Sequence, residues 1–222
     1  RQKIRASASG TKVRHTSPSR IYEIKQKIPS IISQHKIAAI LSTYDDLIEK
    51  NTRRIKILEE MAQAIYREWF VHFHFPGHEG VRIVESELGL IPEGWEVRSI
   101  GDLCFVNNWT LISSDRLTEV EYVEIADVMR GDVNTTSVWP RGDEPSRAKR
   151  RLRHGDTVVS TVRPERQAYF LCLYPAPNLV ASTGFAVFSP HLAPWSFIHL
   201  ALTQSEVFDR LGHLADGGAY PA

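Results

Sequence analysis

The chain has little cysteine and no long apolar run. Its only cysteines are Cys104 and Cys172, too few for the disulfide framework of a small secreted domain. Each is expected to be a small buried apolar residue in a reducing compartment, so we expect a cytoplasmic protein. No apolar stretch approaches the roughly 18 residues that a membrane helix needs, which predicts that the chain has no membrane partner.

Proline and glycine are missing from one long segment, between Pro29 and Pro76. Apolar residues recur there at alternating spacings of four and three, which predicts a long coiled-coil-type helix over residues 31–75. At 1.5 Å per residue such a helix is about 60 Å long. Its apolar seam consists of Ile37, Leu41, Tyr44, Ile48, Asn51, Ile55, Leu58, Ala62, Ile65 and Trp69.

The seam predicts a helix–helix interface, because a single helix with one apolar stripe leaves that stripe uncovered. Asn51 within the seam is typical of a residue that fixes register and partner number. We therefore expect self-association through this helix. In the alternative interpretation, the seam packs on the chain's own globular domain.

Residues 95–222 have a different pattern. Short β-type runs such as "WEVRSI", "EYVEIADV", "DTVVSTV" and "AYFLCLY" are separated by turn residues, and helical spacing returns after Pro194. The fold class is therefore predicted to be α/β or α+β, with a strand-rich lobe joined to the long helix. Proline, glycine and acidic residues predict a linker over residues 76–94.

Charge is unevenly distributed, although the net charge is only +1. Residues 1–36 carry nine Lys/Arg and one acid, whereas residues 79–132 carry four Lys/Arg and twelve acids. This asymmetry indicates a surface with nucleic acid on one side and a partner on the other, or simply an unevenly charged solvated surface.

Several motifs together resemble one family. The segments "IPEGWEVRSIGDLC", "EYVEIADVMRGD", "LRHGDTVVSTVRPERQ", "STGFAVFSP" and "LADGGAYPA" resemble a target-recognition domain of type I restriction-modification specificity subunits. The segment that begins "KIPSIISQHKIAAIL" is similar to the family's spacer helix. The order of these motifs along the chain matches the family, and together they cover nearly all of it.

The resemblance implies a half-subunit or fragment. Specificity subunits of this family have two recognition domains, each reading half of a split DNA target, joined by two long antiparallel helices. Here residues 1–30 are expected to be the tail of a preceding recognition domain, 31–75 the spacer helix, 76–94 the linker and 95–222 a recognition domain that is incomplete at its C-terminal end. The first 30 residues of a second copy are expected to complete the lobe.

The same resemblance implies the partners and the cofactors. The expected partners are double-stranded DNA, methyltransferase (M) subunits and the restriction (R) subunit. The chain itself is expected to be non-catalytic and to hold no cofactor. S-adenosylmethionine, ATP and Mg²⁺ are implied only for the partner subunits.

Three polar segments are candidates for DNA contact. Arginine and lysine side chains neutralise phosphates, whereas arginine, glutamine and asparagine side chains also read the edges of bases. The first is the basic run of residues 141–154, for which the alternative interpretation is a solvated charged loop without DNA contact. The second is "STVRPERQ", and the third is the loop Asn107–Thr110, which ordinary turn chemistry explains equally well. The predicted DNA-binding residues are Arg141, Arg147, Lys149, Arg150, Arg151, Arg153, Arg163, Arg166, Gln167 and Asn108.

Enzyme motifs are not apparent in the sequence. The histidines of "HFHFPGH" (His72, His74 and His78) lie at a helix end, and their spacing places only two on one side, so no metal site is predicted. Neither a glycine-rich phosphate loop nor a methyltransferase motif is visible, and no catalytic residue is predicted. The main alternative function is a coiled-coil interaction scaffold that does not bind DNA.

Overall fold

The computed structural model describes residues 17–214. The chain divides into two compact units, one ending at Ile57 and the other beginning at Leu58. Most of the predicted tail of a preceding domain, residues 1–16, and the glycine turn of "LADGGAYPA", residues 215–222, lie outside the described residues.

The predicted long helix is confirmed. A short helix, α1 (Pro18–Tyr22), precedes α2 (Ile31–Tyr66), and a π-helical turn, Arg67–Val71, continues α2. Helix α2 begins after Ser30, whose Oγ accepts a hydrogen bond from the Ser33 backbone N–H at 3.4 Å. The helical turns end at Val71, because Phe73 has φ 60° and cannot continue the helix.

The apolar seam of this helix is accessible along its length. Nine of its ten residues are exposed, and Ala62 is half-buried. Leu41 and Ile48 are 57% and 64% exposed, respectively. Such a run of exposed large apolar side chains at coiled-coil spacing is unusual on a protein surface.

Between Leu58 and Leu214, the described part of the second unit, the chain forms twelve short strands, four of them in two small hairpins. Strands β1 (Ile83–Ser86) and β2 (Gly89–Pro92) pair antiparallel within the segment expected to be a linker. The remaining strands are β3 (Cys104–Val106), β4 (Glu119–Val123), β5 (Val128–Met129), β6 (Asp132–Val133), β7 (Ser137–Pro140), β8 (Ala148–Arg151), β9 (Asp156–Ser160), β10 (Tyr169–Cys172), β11 (Leu179–Ser182) and β12 (Phe185–Pro190). Strands β5 and β6 form the second hairpin.

Two four-stranded sheets form the lobe. The first has the order β10-β9-β12-β3 and is antiparallel throughout. The second has the order β7-β4-β11-β8, with β11 parallel to β4 and antiparallel to β8. Three helices complete the unit: α3 (Ile100–Leu103), α4 (Trp195–Leu202) and α5 (Ser205–Leu214). The predicted α+β fold class is therefore confirmed.

The main core joins the two sheets. Val158 and Val187 of the first sheet pack in one cluster with Val123 and Ala181 of the second, and all four are almost fully buried. The opposite face of the second sheet carries another apolar cluster, which contains Val120, Tyr122, Ala148 and Val180. Since this sheet is covered on both faces, its strands are held in place independently of any ligand.

The last turns of α2 belong to the second unit. The Gln63 side-chain amide donates a hydrogen bond to Thr203 Oγ1 at 3.0 Å and accepts one from Gln204. The Tyr66 ring lies 5.6 Å from that of Phe197, measured between centroids. These contacts attach the C-terminal end of α2 to α4 and to the residues that follow it.

One predicted strand is wrong. The segment "WEVRSI" forms no strand, because Ser99 caps α3 and Ile100 is already helical. The Ser99 hydroxyl accepts a hydrogen bond from the Asp102 backbone N–H at 3.2 Å, while the Asp102 carboxylate accepts one from the Ser99 backbone N–H at 2.9 Å. Trp95 instead packs against Phe75, and the centroids of the two rings lie 5.3 Å apart.

Both cysteines are free and buried, as predicted. Burial raises the pKa of Cys104 to about 11 and that of Cys172 to about 12. Both thiols are therefore protonated at neutral pH and behave as small apolar side chains.

In the part of the chain that the structure describes, no helix combines the length and the apolar character needed to cross a membrane.

We expect the lobe to lose stability in mild acid through His199. Burial lowers the pKa of this α4 residue from its usual 6.5 to about 4. A histidine that folds in its neutral form contributes stability above pH 6.5, and this contribution is lost as the pH falls from there toward 4. Between pH 7 and pH 5 the loss should be about 2 kcal/mol. Urea unfolding at both pH values measures it.

His199→Gln removes this titration, so the unfolding free energy of the variant should change less over the same interval. His213→Gln, at an exposed position of α5, is the matched control and should retain the wild-type loss. An identical pH response in wild type and His199→Gln would show that His199 is not responsible.

Candidate nucleic-acid interface

The basic run is partly a strand, not a loop between strands as expected. Residues Ala148–Arg151 form β8. Arg150 pairs with Ala181 and Arg151 with Val180 on β11, and these two partners belong to the apolar clusters on opposite faces of the sheet. The side chains of Arg150 and Arg151 therefore start on opposite faces, because neighbouring residues of a strand alternate. The sequence of the run therefore does not imply that all of its basic side chains lie on one DNA-binding surface.

Two arginines of the run are engaged in ion pairs within the lobe. Arg151 Nη1 donates to Asp115 Oδ1 at 2.8 Å. Arg141 pairs with Glu144, and its Nη2 donates to the Ile112 carbonyl oxygen at 2.8 Å. Both side chains connect the run to residues 112–115, so part of their role is structural.

Arg150 differs from both. Its Nε atom is buried and has no hydrogen-bond partner among residues 17–214. A buried guanidinium N–H without a partner is costly, and nothing in the structure explains it. Its predicted role in DNA contact stays a prediction.

Three cations of the run extend toward solvent. Arg147 and Arg153 are exposed and Lys149 is half-buried. None of the three forms an ion pair with a carboxylate of the described residues. Because their charges are not neutralised by a paired carboxylate, these side chains are the best placed of the run to contact DNA.

The structure joins two of the predicted segments. The Arg151 backbone N–H donates to the Trp109 carbonyl oxygen at 3.0 Å, and the Leu111 N–H donates to the Lys149 carbonyl oxygen at 2.8 Å. The loop containing Asn108 therefore lies along the outer edge of β8. Asn107, in contrast, has a structural role, since its Oδ1 accepts a hydrogen bond from the Val187 backbone N–H at 2.9 Å.

A cleft of about 390 Å³ lies where the loop meets the strand. The guanidinium carbon of Arg153 lies 3.2 Å from the centroid of the Trp109 ring. The cleft is lined by Asn108, Trp109, Thr110, Ile112, Asp115, Arg151, Leu152 and Arg153. Sequence reasoning missed the roles of Trp109 and Asp115, because their partners are 44 and 36 residues away along the chain.

The predicted residues of the second segment, "STVRPERQ", lie at the other end of β9. Arg163 and Gln167 flank the 3-10 turn Pro164–Arg166, and both have a left-handed backbone, with φ 50° and 54°. Arg166 is exposed, and the Gln167 carbonyl oxygen accepts a hydrogen bond from the Arg130 N–H at 2.9 Å. Strand β9 alone spans about 13 Å, so this group and the Arg153 group are separate patches.

The histidines near the end of the long helix do not form a metal cluster. His74 Nδ1 lies 2.9 Å from the Glu68 carboxylate, and the His74 and His78 rings are 5.3 Å apart between centroids. Across residues 17–214, no group of three or more histidine, cysteine, aspartate or glutamate side chains is arranged to hold a metal ion.

Comparison with known proteins finds similarity to the specificity subunits of type I restriction enzymes. No protein-family model matches the chain. The type I restriction enzyme MjaIX specificity subunit of Methanocaldococcus jannaschii is 38% identical over 91 residues, which are 40% of this chain and 21% of that protein. The MjaVIII specificity subunit of the same organism is 26% identical over 165 residues, 72% of this chain and 38% of the relative. The chain is homologous to type I restriction enzyme specificity subunits.

Two solved structures share the fold over part of the chain. The crystal structure of the HsdS subunit from Thermoanaerobacter tengcongensis matches with a TM-score of 0.50 and 24% identity, over 60% of this chain and 35% of that one. A chain from a structure on complex assembly and conformational transition of the type I R-M system matches with a TM-score of 0.52 over the same shares. The resemblance inferred from the motifs is therefore confirmed. The chain spans less than two fifths of the length of these curated relatives.

Proposed function

We propose that the chain recognises target DNA as a specificity component of a type I restriction-modification complex, with its strand-rich lobe reading one half of a bipartite target. The observation that carries this proposal is the similarity to curated specificity subunits, which extends over 72% of the chain in one relative. Two exposed cations support it, Arg153 beside the Asn108 loop and Arg147 in the same basic run, because positively charged side chains supply much of the affinity for DNA.

The long helix has a separate role in this proposal. Its exposed seam pairs with a second long helix, which a second copy of the chain can supply, and the helix docks the methyltransferase and restriction subunits. The exposed seam that includes Leu41 and Ile48 supports this role, since a contiguous run of exposed apolar side chains marks an interaction surface. The pairing would bring two recognition lobes into one particle, as a bipartite target requires.

Catalysis belongs to the partner subunits in this proposal. Methyl transfer would use S-adenosylmethionine, and DNA translocation and cleavage would use ATP and Mg²⁺, all held by the methyltransferase and restriction subunits. The role of this chain is to place those subunits on the target. It therefore contributes binding and position, and no bond-making step is assigned to its own residues.

The exposed seam also supports a second candidate function. A coiled-coil interaction scaffold without DNA binding would present the same seam, but it would not require exposed cations beside the Trp109 cleft. The two functions differ in the salt dependence of DNA binding.

We expect the chain, in complex with its methyltransferase subunit, to bind duplex DNA with an affinity that falls steeply as salt rises. In Arg147→Ala/Lys149→Ala the slope of log K against log salt should be shallower by nearly two, because each lost phosphate contact removes about 0.9. Fluorescence anisotropy of a labelled duplex at several salt concentrations measures both slopes.

Arg82→Ala/Lys50→Ala is the matched control, since it also removes two positive charges, both at exposed positions outside the predicted DNA-binding residues. Its slope should equal that of the wild type. Equal slopes in all three proteins would remove the basic run from the interface. Negligible binding of every duplex at low salt would favour the scaffold.

A further inference from the structure

Arg153 is held in place differently from the other arginines of the run. Its guanidinium carbon lies 3.2 Å from the Trp109 ring centroid, so the planar head rests on the indole face. Arg141 and Arg151, in contrast, are held by carboxylates. A stacked guanidinium keeps its full charge, and its N–H groups point outward in its own plane, away from the ring.

The main chain under this pair is also constrained. The buried carboxylate of Asp156 accepts a hydrogen bond from the Arg153 backbone N–H at 2.7 Å. The Trp109 carbonyl oxygen accepts one from the Arg151 N–H at 3.0 Å. Both partners of the stack are therefore fixed by hydrogen bonds to the folded lobe. Little conformational entropy remains for the Arg153 head to lose when it binds a ligand.

The stack borders the cleft of about 390 Å³. Asn108 and Thr110 supply polar groups to its lining, and Ile112 supplies apolar surface. This combination of a fixed cationic donor, an aromatic face and neutral polar groups suits the edge of a nucleobase better than a phosphate, for which a mobile lysine would serve as well.

We propose that Arg153 reads a guanine of the target through the edge of its guanidinium, and that Trp109 is the positioning residue that holds it. The proposal rests on the proposed DNA-recognition function. The arginine fork matches the O6 and N7 acceptors that guanine presents in the major groove. Stacking on Trp109 fixes the plane of the fork before DNA arrives.

The test uses Arg153→Lys, which keeps the charge and removes the planar fork. The full chain with its methyltransferase partner selects duplexes from a random pool, and affinities are then measured for the selected site and for each single-base change. In Arg153→Lys, discrimination at one G·C pair should fall by about tenfold to a hundredfold. The salt slope should not change, because the charge is retained. Arg147→Lys is the matched control and should leave both quantities unchanged.

Trp109 variants separate positioning from folding. Trp109→Phe keeps an aromatic face and should retain discrimination at that pair, whereas Trp109→Leu should lose it to the extent that Arg153→Lys does. Thermal unfolding of each variant shows whether it is folded. If Trp109→Leu is unfolded, the result for Arg153→Lys still tests the proposal.

The outcomes distinguish the two proposals. If the wild-type complex binds DNA selectively but Arg153→Lys discriminates equally well at every position, the guanine contact is wrong and the proposed function stands. A loss in Arg153→Ala that is uniform over all sequences, with a shallower salt slope and normal discrimination in Arg153→Lys, would assign Arg153 to a phosphate. If the wild-type complex binds no DNA, both proposals fail.

Discussion

Replacing Leu41 and Ile48 with glutamate should weaken self-association of the chain by about a thousandfold. Both side chains are more than half exposed in the single chain, at 57% and 64%, and both lie on the seam. Burying a leucine or isoleucine contributes about 1.5–3 kcal/mol. Losing two such contacts, and placing carboxylates where they would be desolvated, removes at least about 4 kcal/mol of association free energy. Sedimentation equilibrium over a range of concentrations measures the dissociation constant.

The matched control is Ala39→Glu/Ser42→Glu. These two positions are also exposed and on the same helix, and the substitution adds the same charge, but neither lies on the seam. Association should be essentially that of the wild type. A wild-type chain that stays monomeric at roughly ten micromolar, where an ordinary dimer would form, would contradict self-association through this helix.

Gly155→Ala should destabilise the lobe by about 3 kcal/mol. Gly155 has φ +86°, and a Cβ built there would lie 3.1 Å from Cβ of Trp195 on α4. Alanine in this backbone conformation is strained by about 1 kcal/mol, and crowding against the near end of the Trp195 side chain adds about 1–3 kcal/mol. Urea unfolding at constant pH measures the difference.

Gly142→Ala isolates the backbone contribution. Gly142 has φ +103°, yet a Cβ at this position would meet nothing within 4 Å. Its substitution should cost only the backbone strain, about 1 kcal/mol. Equal losses for the two variants would mean that Trp195 moves aside easily and that the clash has no consequence. Gly155 follows the Arg153–His154 segment directly, so Gly155→Ala should also disturb the Trp109–Arg153 stack.

The parts of the fold that depend on local pattern were predictable. The alternating spacing of four and three identifies α2 because a helical seam is a property of one segment. The β-type runs "DTVVSTV" and "AYFLCLY" contain strands β9 and β10, as their local pattern predicts. The strand predicted for "WEVRSI" was wrong, because a capping box that starts at Ser99 overrides the β propensity of Trp95 and Val97.

The candidate site was less predictable, because it depends on contacts between distant segments. Strand β8, "AKRR", carries three charges in four residues and therefore has no apolar alternation. Its strand character comes from pairing with β11 and from the Trp109–Leu111 segment along its outer edge. Sequence alone also could not tell which arginines have internal partners. Asp115 lies 36 residues from Arg151, and no spacing rule links the two.

In each four-stranded sheet, one of the two inner positions is occupied by one of the last two described strands of the lobe. Strand β11 lies between β4 and β8, and β12 lies between β9 and β3. The parallel pairing of β11 with β4 joins strands separated by more than fifty residues of chain. During synthesis, the second sheet cannot close until Ser182 has emerged, and the first cannot close until Pro190 has emerged. The Trp109 loop and the basic strand are made early, but they acquire their final framework only when this last pair of strands arrives, so the interface and the core form together.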